Sequence, residues 1–276
     1  MLRQRFQLDS EVGSGSTCTV YKAHDHKRGR AVALKVFDIS ADSNCSSSQE
    51  GHIRREHQIR QEINMLLLIA ENCLYGFHKI YWYGHLEVGP VIVFQLLGDP
   101  LEKRWRGVLA DCGPQMVQRL HDLHAIGVVH RDQKPENWLY GRGKNSKVIH
   151  LIDFGLATSY RNQDDEHVKK VKPSPYCGTH MYSSPYAELG YNQSRRDDLI
   201  ALGYLLLSLY DPLPWSHYTI SSPDQVVALG KLKLSSTFEH NDRYPRSLIR
   251  YLNICLKLKF SETPPYTVLS RLLDGC

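Results

Sequence analysis

Alternating and helical spacings of apolar residues divide the chain into a strand-rich first third and a helical remainder. Gln7–Val12 and Thr19–Ala23 carry strand-like residues on either side of a glycine-containing turn, and Ala31–Phe37 is a short valine-rich run of the kind a buried strand presents. The small and polar residues between Asp38 and Gly51 predict a loop. From His52 to Ala70 there is no glycine or proline, and Ile53, Ile59, Ile63, Leu66 and Leu67 recur at helical spacing, which predicts one long helix. Strand patterns return at Lys79–Leu86 and Val91–Leu96, and the glycine and proline of LLGDP (Leu96–Pro100) interrupt them.

Beyond Pro100 the pattern becomes helical. Pro114–Ala125 reads as an amphipathic helix with proline in its first turn, buried through Met116, Val117, Leu120 and Leu123. Leu199–Tyr210 is apolar on nearly every side and belongs at the centre of a helical core, while Arg246–Lys257 and Val268–Leu273 predict further helices. These elements predict an α+β protein with a small β-rich part, residues 1–97, and a larger helical part, residues 98–276. A cleft is expected between the two, and such clefts favour ligand sites.

Composition adds limits. With 276 residues, 42% hydrophobic and 23% charged, the chain is globular, not low-complexity. The net charge of +5 is mild: 11 basic against 10 acidic residues up to position 97, and 23 against 19 beyond, too weak to argue for nucleic acid. Met65–Ala70 and Leu199–Tyr210 fall short of the ~20 apolar residues needed to cross a bilayer. No secretory leader or prenylation box is legible at the ends, so the expectation is an intracellular monomer of the cytoplasm, the nucleus or both, binding neither membrane nor nucleic acid directly. Seven scattered cysteines without a C-x-x-C pair read as free thiols, and neither His24 with His26 nor His121 with His124 has a third partner that would suggest zinc.

Several segments carry chemistry. EVGSGSTCTV places Gly13, Gly15 and Val20 between two strands, a turn able to offer backbone N–H groups to phosphate oxygens, though a plain hairpin fits equally well. Lys35 follows Val20 by fifteen residues at the end of VALK. HRDQKPEN (His130–Asn137) is more specific: Asp132, Lys134 and Asn137 fall in a stretch that Pro135 bars from being regular helix. Asp153, in LIDFGLA, comes twenty-one residues after Asp132 behind an apolar strand, Val148–Ile152. Amide and carboxylate oxygens at strand ends suit a hard cation such as magnesium.

In order and spacing, GSGSTCTV, VALK, HRDQKPEN, DFG, CGTHMYSSP and SRRDDLIALGYLLL resemble the eukaryotic protein kinases over nearly the whole chain. LLGDPLE and QSRRDDLIALGYLLL resemble the casein kinase I group in particular, of which this would be a divergent member. The resemblance implies a bilobal fold, ATP and Mg2+ as cofactors, and protein serine or threonine as acceptor, the last from Lys134 together with Thr179. By the same resemblance Val12, Gly13, Ser14, Gly15, Ser16, Thr17, Cys18, Thr19 and Val20 cover the nucleotide. Val20, Ala33 and Leu139 flank adenine, and the backbone from Gln95 to Leu97 bonds it. Lys35 takes the α and β phosphates and pairs with Glu62, or with Glu56. Asp132 handles the substrate hydroxyl, Lys134 steadies the moving phosphoryl group, and Asn137 and Asp153 hold magnesium.

The departures from the family pattern carry their own expectations. Cys18 stands where a glycine is usual and predicts weaker ATP binding. The 34 positions from Leu96 to His130 are fewer than the family's usual span and predict a shortened helix after Pro100. Met181 stands in GTHM where the group has an arginine, predicting a weaker preference for acidic or already phosphorylated substrates, and SPY (Ser184–Tyr186) replaces A-P-E. Phe94 predicts a tight pocket behind adenine. Arg131 is a candidate ligand for a phosphate on the segment Asp153–Pro185, where Thr158, Ser159, Ser174 and Tyr176 are candidate sites, and Lys169, Lys170 and Lys172 form a basic cluster. The alternative is a pseudokinase that keeps the fold as a nucleotide-binding or scaffolding module.

Overall fold

The computed structural model describes residues 5–15, 18–38, 48–101, 109–174, 176–238 and 241–274, and for 48–55 the backbone alone. Two compact units emerge: Met1–Gly98 with Tyr140–Lys147, and Asp99–Leu139 with Val148–Cys276. The excursion of Tyr140–Lys147 into the first unit has no counterpart in a single boundary near residue 97.

In the first unit, β1 (Phe6–Ser14), β2 (Cys18–Asp25), β3 (Arg30–Phe37), β4 (Ile80–Leu86) and β5 (Gly89–Gln95) form an antiparallel sheet in the order β1-β2-β3-β5-β4. The period of two sends Val32 and Leu34 of β3 to one face, where they join Phe6, Ala23, Val91 and Val93 in a core flanked by Tyr81, Trp82 and Leu86. Burying each such valine or leucine is worth roughly 1.5–3 kcal/mol. Lys35 points to the opposite face of β3, in register with Val20 and Ile92. The helix α1 (Ser48–Glu71) enters between β3 and β4.

The helix begins inside the stretch expected to be a loop. Polar residues do not distinguish a loop from helix turns, and the cost of Gly51, about 1 kcal/mol, is small within 24 helical residues. The buried stripe of α1 is Ile59, Glu62, Leu66 and Ile69, which places a carboxylate in the middle of an apolar face.

The second unit contains α2 (Leu109–Ala125), β6 (Val128–Val129), β7 (Trp138–Tyr140), β8 (Ile149–Leu151), β9 (Thr158–Ser159), α3 (Pro185–Glu188), α4 (Arg195–Ser208), α5 (Pro223–Ser235), α6 (Arg246–Lys257) and α7 (Tyr266–Leu273). Every residue from Arg196 to Leu207 is buried, so α4 is the central helix that its all-round apolarity predicts. Strand β6 pairs with β9 and β7 with β8.

Proline was expected in the first turn of α2, yet Pro114 lies inside the helix. The buried face of Leu109, Cys112, Met116, Leu120 and Leu123 runs on both sides of it, and this packing outweighs the lost N–H bond, whose cost is about 3 kcal/mol. One residue earlier, Gly113 lets α2 and α7 touch: a Cβ there would lie 2.8 Å from that of Leu273. The stretch 102–108, on which the expected shortening after Pro100 bears, is outside the described residues. Helix α5 was not anticipated, although Ser222, Pro223 and Gln225 form a capping box with proline at its start.

Candidate active site

In the first unit Lys35 meets the carboxylate that interrupts the stripe of α1. Its Nζ donates to both oxygens of Glu62, at 2.7 and 3.0 Å, and both side chains are buried. Glu56, the alternative partner, is exposed. A buried carboxylate without a cation would be costly, so each charge explains the position of the other.

The glycine turn closes with the Gly15 amide donating to the Cys18 carbonyl at 2.9 Å. Gly13 pairs with Val20 and Ser14 with Thr19 across β1 and β2. A Cβ on Gly13 would meet no described atom within 4 Å, and one on Gly15 would meet the Cys18 carbonyl at 3.8 Å, so packing of the chain does not require glycine at either place. Val12 is exposed, and Cys18, Thr19, Val20 and Ala33 are half-buried; Ser16 and Thr17 fall outside the described residues. The Gln95 amide donates to the Lys79 carbonyl and is therefore committed within the sheet, while Leu97 is buried and Gly98 donates to the Tyr140 carbonyl. Phe94 is buried with its ring edge-on to His78 at 4.4 Å.

The second unit gathers Asp132, Lys134 and Asn137 on a loop between β6 and β7. Arg131 has φ of 70°, which turns the loop sharply, and Asp153 has φ of 65°. The Asp132 carboxylate is held from both sides: Thr179 Oγ1 donates to Oδ1 at 2.7 Å and Lys134 Nζ lies 2.8 Å from Oδ2. Asn137 Nδ2 donates to the Asp132 carbonyl at 2.8 Å, which leaves its Oδ1 to face other partners. Burial pushes the Lys134 ammonium down, but the hydrogen bond and charge of Asp132, with Asp153 and Glu136, more than offset this and hold it above the usual lysine range. Leu139, on β7, is half-buried.

Asp198, on α4, fixes the loop from below. Its buried carboxylate accepts the amides of His130 at 2.7 Å and Arg131 at 2.8 Å, and His124 Nε2 at 3.0 Å. Burial raises the carboxyl, yet these bonds outweigh it and the group lies below the ordinary aspartate range. Burial holds His124 below the ordinary histidine range despite the pull of Asp198. A neutral ring satisfies both neighbours, donating from Nε2 to Asp198 and accepting the Tyr266 hydroxyl at Nδ1, 2.8 Å away. His130 completes the loop, with Nδ1 accepting the Asp132 amide and Nε2 donating to the Ile152 carbonyl.

Gly178 is required where it stands. Its φ is 111°, and a Cβ would lie 2.6 Å from the Arg131 carbonyl. Arg131 Nε donates to the Leu156 carbonyl at 2.6 Å, the Ser159 hydroxyl bonds the Arg161 carbonyl, and the Tyr176 ring stacks on His180. Met181 offers its carbonyl to Trp215 Nε1 at 2.8 Å. Sequence spacing alone did not reveal the role of Asp198 or His124; the conspicuous signal was a pair of adjacent aspartates, Asp197 and Asp198, at the head of the most apolar helix.

A β-rich N-terminal part followed by a helical C-terminal part fits the fold of the protein kinases. The chain belongs to the protein kinase domain family, whose model matches residues 6–267. Members of this family transfer a phosphoryl group to protein substrates with ATP and Mg2+. No helix among the described residues is long and apolar enough to cross a membrane.

Proposed function

We propose that this kinase acts on serine and threonine and is of casein kinase I type. The observation that carries the reading is the carboxylate of Asp132 held between Thr179 Oγ1 and Lys134 Nζ, the two residues that resemble serine/threonine kinases. A carboxylate has about four lone-pair sites, and with Asn137 Nδ2 also reaching Oδ2 at 3.4 Å, about one remains, on the Oδ1 side, to orient the acceptor hydroxyl and take its proton. Lys134, kept charged by its neighbours, would steady the moving phosphoryl group.

In the first unit, Lys35 fixed by Glu62 would take the α and β phosphates. The space over Gly13 and Gly15 supports close approach of phosphate to the backbone from Val12 to Val20. Val20 and Ala33 would contact adenine from this unit. Because the Gln95 amide is committed to Lys79, the backbone contribution from this stretch would come from the Gln95 carbonyl and from Leu97. In the second unit the donor set fits magnesium: Asn137 has its amide nitrogen engaged and its oxygen turned elsewhere, and Asp153 supplies carboxylate oxygen. When bound, that ion would neutralise phosphate charge.

The casein kinase I reading rests on LLGDPLE and the SRRDD segment, whose residues are well used: Ser194 and Asp197 form a capping box, and Arg196 donates to the Leu258 carbonyl while lying 3.6 Å over the Tyr186 ring. With Met181 in place of an arginine, primed peptides should gain little over unprimed ones, and a strong primed preference would refute that expectation. The decisive experiment compares incorporation of radiolabelled phosphate by the protein and by Asp132→Asn. Loss of signal in the variant supports the enzyme; equal signals would leave the scaffolding module.

A further inference from the structure

A buried network between Thr179 and α5 plays no part in the roles assigned above. Lys233, on α5 and wholly buried, donates from Nζ to the carbonyls of His180 at 2.6 Å and Ser183 at 2.8 Å, and lies 3.2 Å from Glu188 Oε1. Glu188, on α3 and also buried, accepts the Ser183 hydroxyl, and its Oε2 meets His180 Nδ1 at 2.9 Å. The Met181 carbonyl takes Trp215 Nε1, and the Thr179 carbonyl takes the amides of Tyr182 and Ser183. The turn is thus bonded internally through Thr179 and externally through Lys233 and Trp215. Its first residue is the one whose hydroxyl reaches Asp132.

Burial pushes Lys233 down to about 8 against the pull of Glu188, so at neutral pH it is charged, and its protons are shared among the two carbonyls, Glu188 Oε1 and, more distantly, Ser183 Oγ at 3.5 Å. Stability alone does not account for the pair, because apolar residues of similar volume often replace a buried ion pair without loss. What an apolar pair cannot supply is a donor to the two carbonyls.

We propose that Lys233, with Glu188 as its buried counter-charge, is a positioning residue for phosphoryl transfer: it clamps the 180–183 turn so that Thr179 holds the Asp132 carboxylate in its working orientation. The inference rests on the kinase reading above. Exchanging both charges for methionine removes the clamp without leaving an unpaired charge, and the split between KM and kcat then distinguishes positioning from general loosening.

The test uses the full chain and Lys233→Met/Glu188→Met, reading kcat, KM for ATP, melting temperature and amide hydrogen exchange over 179–184. The expected result is a melting temperature below the parent's, because the His180 and Ser183 carbonyls lose their donor, with an unchanged KM, kcat lower by about 10- to 100-fold and faster exchange confined to that turn. Trp215→Phe removes one outside donor without touching the charges, and if the double variant does not fold it carries the test through a smaller loss of kcat in the same sense. Parental kcat and parental exchange in whichever of the two variants folds would overturn the proposal. If the parent itself transfers no phosphate, the kinase reading fails, while the exchange measurement still decides whether Lys233 clamps the turn.

Discussion

In the first unit, Lys35 and Glu62 form a buried ion pair against a sheet whose core is Val32, Leu34, Val91 and Val93. In the second, Asp197, Asp198, Glu188, Lys233, Arg119, Arg196 and His124 are all buried, and most of them hold backbone groups of a loop or turn. The sheet is bonded by its own strands, so its charged pair is free for a chemical task. The 130–137 loop and the 179–183 turn make few bonds of their own and depend on side chains supplied by helices. Regular structure therefore tolerates loss of its ion pair better than irregular structure tolerates loss of its anchors.

The largest expected effect is that of Asp198→Ala, which strips the acceptor from the His130 and Arg131 amides and from His124. Three buried donors would be left without it, at a cost on the order of 3–5 kcal/mol, and chemical denaturation should register this together with loss of phosphoryl transfer. Replacing the whole pair, Lys35→Met/Glu62→Met, should cost less, because no buried charge is stranded and the sheet keeps its ladder, yet phosphoryl transfer should still collapse. A denaturation midpoint that falls further for this double variant than for Asp198→Ala would invert the comparison.

Acid should also separate the units. Burial holds His124, His150 and His167, all in the second unit, below the ordinary value of 6.5. The unfolded chain binds these protons first, so their stabilising contribution is complete above pH 6.5 and is lost progressively as pH falls from there through the depressed folded values. Urea titrations at descending pH, read by amide exchange in each unit, should show the second loosening first; a first unit that opens earlier would contradict this. The smallest effect is expected from Gln133→Leu, which removes the acceptor of Trp138 Nε1 at a cost of about 1 kcal/mol in chemical denaturation. A midpoint that falls as far as that of Asp198→Ala would contradict this order.

The same contrast decided what could be read from the chain. Strands β1 to β5 were legible to within a residue or two because a two-residue alternation fixes each face locally. Glu62 could be singled out because RQEINMLLL resembles the glutamate-plus-apolar stretch of the kinases, whereas spacing alone left Glu56 open. The spacing of Asp132, Lys134, Asn137 and Asp153 was informative because that chemistry is concentrated in a short loop and a strand end. The pairing of His124 with Asp198 spans 74 positions and that of Lys233 with Glu188 spans 45, and no periodicity relates residues so far apart. The start of α1 was obscured by its polar first turns, and Pro114 drew the start of α2 inward because the buried face around it was undervalued. Helix α5 did carry its signal, a capping box at Ser222 and Gln225, in a stretch whose apolar pattern is weak.

Asp198 lies 68 and 67 positions downstream of the amides it holds. A growing chain that has emerged through His130 and Asp132 therefore still lacks the group that shapes this loop. The loop can take its shape only once α4 has been synthesised and buried, so a polypeptide ending between Asn137 and Asp198 should carry Asp132 and yet lack the arrangement that surrounds it.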